Sequence, residues 1–201
     1  MSIAEFQRAF ADLIASPERC VEFRDGPGAA LADYDLAPRE QKRLRTMARD
    51  EAMSINCSLY RVNRLIPVYS VLPHSCRLLG DRLMEELEAF WAASRHATLQ
   101  YRWESWQFGL WIQERIAAGR LSDGPVADAV RLELALFDAQ AAGSASCGET
   151  GAGDKRTVRL RYDPDRLLDP AIPADTLEFL AQEIAVVVDA TGGQLAIRPA
   201  S

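Results

Sequence analysis

The chain has 201 residues, a formal net charge of −6, and hydrophobic and charged shares of 48% and 26%. That length and composition support a folded core without disulfide or metal staples and exclude wholesale disorder. Acidic residues match or outnumber basic ones in every third of the chain, which argues against a phosphate-backbone ligand, and no apolar run approaches the ~20 residues of a membrane span.

The opening MSIAEFQRAF has neither the basic start nor the long apolar stretch of a secretory signal, so a cytoplasmic protein is expected. Ser2 to Glu5 reads as a capping box. It opens a helix with Ile3, Phe6, Phe10, Leu13 and Ile14 on one face and Pro17 just past its end. Arg19 to Asp35 reads as a loop, broken at Gly26-Pro27-Gly28, with one short turn at Ala29 to Ala32. Pro38 suits the first turn of a second helix, made basic by Arg39, Lys42, Arg43, Arg45 and Arg49. With Glu40, Asp50 and Glu51 alongside, this reads first as a solvated face and second as a patch for an acidic partner.

From Glu51, Met53, Ile55, Leu59, Val62, Leu65 and Ile66 recur at helical spacing. Pro67 kinks this helix or starts a new one at Val68, and Pro73 forces a break near His74. A short turn from Ser75 to Leu79 ends at Gly80, read as a left-handed residue. Asp81 caps the next helix, where Leu83, Met84, Leu87, Phe90 and Trp91 form a stripe. A further helix covers Tyr101 to Ala118. Asp123 caps the last long one, with Pro125 in its first turn and Val126, Val130, Leu134 and Phe137 as its buried face.

Composition then shifts. Gly143 to Asp154, GSASCGETGAGD, reads as a Gly/Ser-rich linker. Thr157 to Tyr162 alternates as a half-buried strand does, and Thr176 to Gln182 reads as a short helix. Ile184 to Val188 and Gln194 to Ile197 read as strands joined through a Gly192-Gly193 turn. The expected fold is mainly α: an N-terminal helical bundle over residues 1–142, the linker over 143–154, and over 155–201 a small α+β module with two to three strands that docks on the bundle.

Chemistry is sparse. There are two histidines, His74 and His96, and no HExxH, zinc spacing, EF-hand loop, GxGxxG, Walker A or GxSxG. A site built from both histidines and a carboxylate is the metal alternative. Cys20, Cys57, Cys76 and Cys147 form no CxxC pair and are expected as reduced thiols, with Cys147 exposed in the linker and Cys57 and Cys76 near apolar faces. The carboxylate pairs Glu85/Glu86 and Asp163/Asp165 read as solvated charge. Tyr101, Trp103, Trp106, Phe108 and Trp111 put aromatics on more than one side of a helix. That describes a helix buried on several sides, or one with a face left for a partner. If Glu104 among them is buried it needs a partner, for which an arginine such as Arg61 or Arg64 is a candidate.

The run LYRVNRLIPVYSVLPHSCRLLG (Leu59 to Gly80), an apolar helix to Phe90-Trp91, then WESWQFGLWI and VRLELALFDA, resembles a family. It is similar to the helical partner subunits of multinuclear non-heme iron oxidases that modify ribosomally synthesised peptides, of the thiaglutamate and methanobactin type. The matching positions are Tyr60, Arg61, Asn63, Pro73, Leu78, Leu79 and Gly80. The resemblance implies a non-catalytic subunit with no cofactor of its own, the iron residing in the oxidase. It also implies a small domain that helps recognise the precursor-peptide leader by strand addition. The partner-interface candidates are Arg61, Asn63, His74, Trp103, Glu104 and Trp106; the peptide-binding strand candidates are Val186, Val187, Val188, Leu195 and Ile197. No membrane or nucleic-acid partner is expected. The alternatives are a DNA-binding transcriptional regulator using Arg39 to Arg49, and a stand-alone thiol or metal enzyme.

Overall fold

Prolines start many of the helices. Proline has no N–H to lose in a first turn, and its fixed φ suits that position. The computed structural model describes residues 3–26, 29–94, 101–145, 155–189 and 196–200. Ile3–Ala15 (α1) leads directly into Pro17–Asp25 (α2), so Pro17 opens a helix as well as following one. The loop expected from Arg19 is therefore helical as far as Asp25. The Ser16 side chain accepts the Arg19 N–H at 3.4 Å, and only Cys20 and Phe23 of α2 are buried, too few for a periodic stripe. The Ser2 cap lies outside the described residues.

A 3-10 turn at Ala29–Leu31 precedes Pro38–Ala48 (α3), where Glu40 reaches back to the Ala37 N–H at 2.8 Å. Glu51–Val71 (α4) is one helix with Pro67 inside it rather than a break. The lost bond to the Asn63 carbonyl is offset by full burial of Val68 and Leu72 just beyond. Pro73–Leu79 (α5) ends at Gly80, whose φ of 52° and ψ of −127° favour glycine although the residue is not left-handed helical. Arg82–Ala93 (α6) follows Asp81, which makes no side-chain cap bond, contrary to expectation.

Tyr101–Ala117 (α7) and Pro125–Ala145 (α8) complete the long helices. Helix α8 runs past Gly143, where the linker was expected to begin; residues 146–154 lie outside the described residues. Lys155–Leu160 (β1), Pro164–Leu168 (α9), Ile184–Asp189 (β2) and Ala196–Pro199 (β3) finish the chain. The expected helix over Thr176 to Gln182 reduces to a 3-10 turn at Ala174–Thr176. The segment beyond it is held by tertiary contacts: Leu180 N–H donates to the Arg161 carbonyl at 2.8 Å, and the Phe179 and Tyr162 rings lie 4.6 Å apart. The module's helical turn is instead α9, capped by Asp163 through the Asp165 N–H.

The architecture is mainly α, with nine α-helices among the described residues and a three-stranded antiparallel sheet of order β1-β2-β3. Val158 sits opposite Val186, and Val188 opposite Ile197. The change from helix to strand is not where contacts divide the chain. The compact units are Met1–Ile66 and Pro67–Ser201. In the first, α1, α2, α3 and the start of α4 enclose Ala9, Leu13, Phe23, Leu44 and Met53. In the second, Leu132 and Ala139 of α8 meet Val158, Leu160, Val186 and Val188 of the sheet. Phe90 of α6 packs at 5.5 Å from Phe108 and 6.0 Å from Trp111 of α7. Gly109 lets α7 approach α8, since a Cβ there would lie 2.7 Å from Leu134 Cδ2. No helix among the described residues is long and apolar enough to cross a membrane.

Candidate functional site

Three carboxylates on the apolar faces of α6 and α8 are fully enclosed and committed to bonds. Glu86 is buried, not solvated as its neighbour Glu85 suggests. It accepts from Arg115 at 2.9 and 3.1 Å, Arg82 at 3.3 Å and Trp111 Nε1 at 3.3 Å. Asp128 accepts the backbone N–H groups of Arg161 and Tyr162 and bonds the Arg131 guanidinium, so it ties the end of β1 to α8. Glu133 accepts the His74 N–H at 2.7 Å, the Ser75 N–H at 3.0 Å and the Ser75 hydroxyl, which secures the first turn of α5. Burial pushes its carboxyl up to about 7 against these bonds. Their signal in the sequence was an acid in register with apolar positions, as Glu133 is with Val126, Val130 and Phe137.

Helix α4 carries the opposite anomaly. Ile55, Leu59, Val62 and Ile66 recur at alternating spacings of four, three and four, which places them on one stripe. Their exposures are 55%, 54%, 47% and 57%, while Met53 and Cys57 on the other side of the helix are buried. Ser58 and Asn63 flank the stripe, exposed and uncharged. Helical spacing alone put the whole apolar set on one packing helix; the fold buries Met53 and leaves these four in water.

The sequence-derived interface residues fall into separate groups. Arg61 and Asn63 belong to α4; Asn63 borders the stripe, while Arg61 pairs with Glu18 of α2 at 2.8 Å. His74 sits in the first turn of α5, and burial lowers its pKa. Glu104 is buried. Trp103 and Trp106 stack at 4.4 Å with 17° between rings; Trp106 Nε1 donates to Asp138 at 3.0 Å, and Trp103 is 44% exposed. Phe108 and Ile112 are fully buried on other sides, so α7 has both core faces and an open aromatic ledge.

Among the strand candidates, Val186, Val187 and Val188 lie on β2, which is paired on both sides and offers no free edge over those residues. Ile197 lies on β3, an outer strand, and is partly exposed; Leu195 lies outside the described residues. The outer strands are β1, with Lys155, Arg156 and Arg159 along it, and β3, which contains Pro199. Cations and proline are the usual protections of an unpaired edge.

The basic residues of α3 are partly engaged. Arg43 lies over the Phe6 ring at 5.5 Å, Arg45 over Phe23 at 5.0 Å, and Arg49 donates to the Arg24 carbonyl at 3.5 Å. His96 and Cys147 lie outside the described residues, and among those described no three His, Cys, Asp or Glu side chains converge as a metal site. No protein-family model matches the chain, and neither does any curated protein or solved structure.

Proposed function

We propose that the chain is a cytoplasmic, non-catalytic partner subunit. It binds a multinuclear non-heme iron oxidase and helps recognise the leader of a ribosomally made precursor peptide while a cysteine or related residue is modified. The observation that carries this reading is the exposed stripe Ile55, Leu59, Val62 and Ile66 on α4. Large aliphatic side chains in contiguous array are costly to leave in water, and a helix in a partner's groove reads such spacing as anchors. The exposed Trp103 of the aromatic ledge adds a second apolar surface of the kind that dominates interfaces. The outer strands β1 and β3 offer the sheet edges that strand addition by a leader would need.

The test is co-expression of the full chain with an oxidase encoded beside it. Leu59→Ser with Val62→Ser is expected to abolish co-purification while lowering the melting temperature by only a few degrees, because about half of each side chain is already exposed. Retention of the complex by that variant, or a wild-type chain that stays monomeric beside the oxidase, rejects the proposal. Leader recognition is read separately, from chemical-shift changes in β1 or β3 amides on adding the leader peptide.

A further inference from the structure

The first compact unit contains a pair of thiols. Cys20 on α2 and Cys57 on α4 are 7% and 5% exposed. Both thiols line one cavity between α2 and α4, and the Cys57 S–H donates to the Leu13 carbonyl at 3.6 Å. The cavity has a volume of about 290 Å3, and its walls also include Pro17, Arg24, Ser54 and Arg61. Ser54 is exposed, so the cavity opens to solvent. Buried cysteines are common as small hydrophobes. A second cysteine on the same cavity and an opening to the surface are not needed for that role. Cys76, 1% exposed, has neither among the described residues.

We infer that Cys20 and Cys57 form a dithiol–disulfide site, which exchanges with small-molecule disulfides that enter the cavity between α2 and α4. Cys20 reacts first. Burial raises both thiols, Cys57 up to about 11, but the Cys57 hydrogen bond favours the Cys20 thiolate and Arg24 adds to it. The Cys20 thiolate attacks one sulfur of the small disulfide, forming a mixed disulfide and releasing one small thiolate. The Cys57 thiolate then attacks the Cys20 sulfur, forming the protein disulfide and releasing the second. The two thiol protons go to the two departing thiolates. Two electrons pass from the protein to the small disulfide. The new bond ties α2 to the helix that bears the exposed stripe, and it constrains the unfolded chain.

The test uses the reduced full chain, incubated with oxidised glutathione in mildly alkaline buffer without denaturant. Remaining thiols are blocked with N-ethylmaleimide under denaturing conditions and mapped by peptide mass spectrometry. The expected product is a Cys20–Cys57 cross-link, with a raised melting temperature that returns to its starting value on reduction. Cys57→Ser is expected to stop at a glutathione adduct on Cys20. Cys20→Ser is expected to form no cross-link. The wild-type map alone decides the matter if a variant fails to fold. Cross-links to Cys76 or Cys147 instead, both cysteines blocked by maleimide, or a Cys20–Cys57 bond that forms only in denaturant, each overturn the proposal.

Discussion

The stability of this chain should fall as pH rises from mildly acidic to neutral, and Glu133 should be the cause. Its carboxyl is 2% exposed, and burial raises its pKa from 4.5 to about 7. The folded state therefore holds a proton that the unfolded state has released. The stabilisation is complete below 4.5 and is lost as pH rises through about 7, at up to about 1.4 kcal/mol per pH step. Over the whole window that amounts to about 3 kcal/mol. His74 works in the opposite sense, because burial lowers its pKa, and stability rises as it deprotonates. Cys76, pushed up to about 12, stays neutral across this window. Glu133→Gln separates these effects, since an amide does not titrate, although its NH2 must face one of the N–H donors of His74 or Ser75 and so lowers stability at every pH. All four tryptophans lie in Pro67–Ser201, so tryptophan fluorescence in urea reports the unit that contains Glu133. Between pH 5 and pH 8 the wild type should lose about 3 kcal/mol that the variant does not lose, so the gap between the two curves changes by that amount. Parallel curves would show that the bonds from His74 and Ser75 outweigh burial, and the reasoning would fail.

Arg115→Met leaves the buried Glu86 charge with only the half-exposed Arg82 beside it. It should lower the melting temperature more than Arg115→Met combined with Glu86→Leu, which removes the desolvated pair together; equal losses would refute that role. Gly109→Ala places a Cβ 2.7 Å from Leu134 Cδ2. A helical alanine gains about 1 kcal/mol, but overpacking costs about 1–3, so urea unfolding should show a net loss, and Gly109→Ala should cost less when made in a Leu134→Ala background than in the wild type. Asp128→Ala leaves the Arg161 and Tyr162 N–H groups without their acceptor. It should cost about 3 kcal/mol and raise amide exchange at the end of β1 before it does so in α7.

Much of the fold was legible because its signals are local. Pro38 and Pro125 mark helix starts through their own φ and missing N–H, and the alternation in Thr157 to Tyr162 marks β1. Helix α2 carried the same kind of signal in Ser16-Pro17, but with two buried residues it had no stripe to find. The candidate surface was less legible. Periodicity shows that α4 is a helix with apolar residues, not which of them pack, and only the arrangement of α1, α2 and α3 around Met53 and Cys57 leaves Ile55, Leu59, Val62 and Ile66 in water.

By itself, then, the sequence determined the helical class, most helix starts and the strand-bearing end, since each depends on residues within a turn or two of one another. Tertiary structure decided that Glu86, Asp128 and Glu133 are buried while Glu85 is not, that β2 is the central strand, and that Cys20 and Cys57 line one cavity. Burial, strand order and the sharing of a cavity depend on segments distant in the chain. Identical residue types in similar local settings therefore end in water or in the core according to what the rest of the fold brings against them.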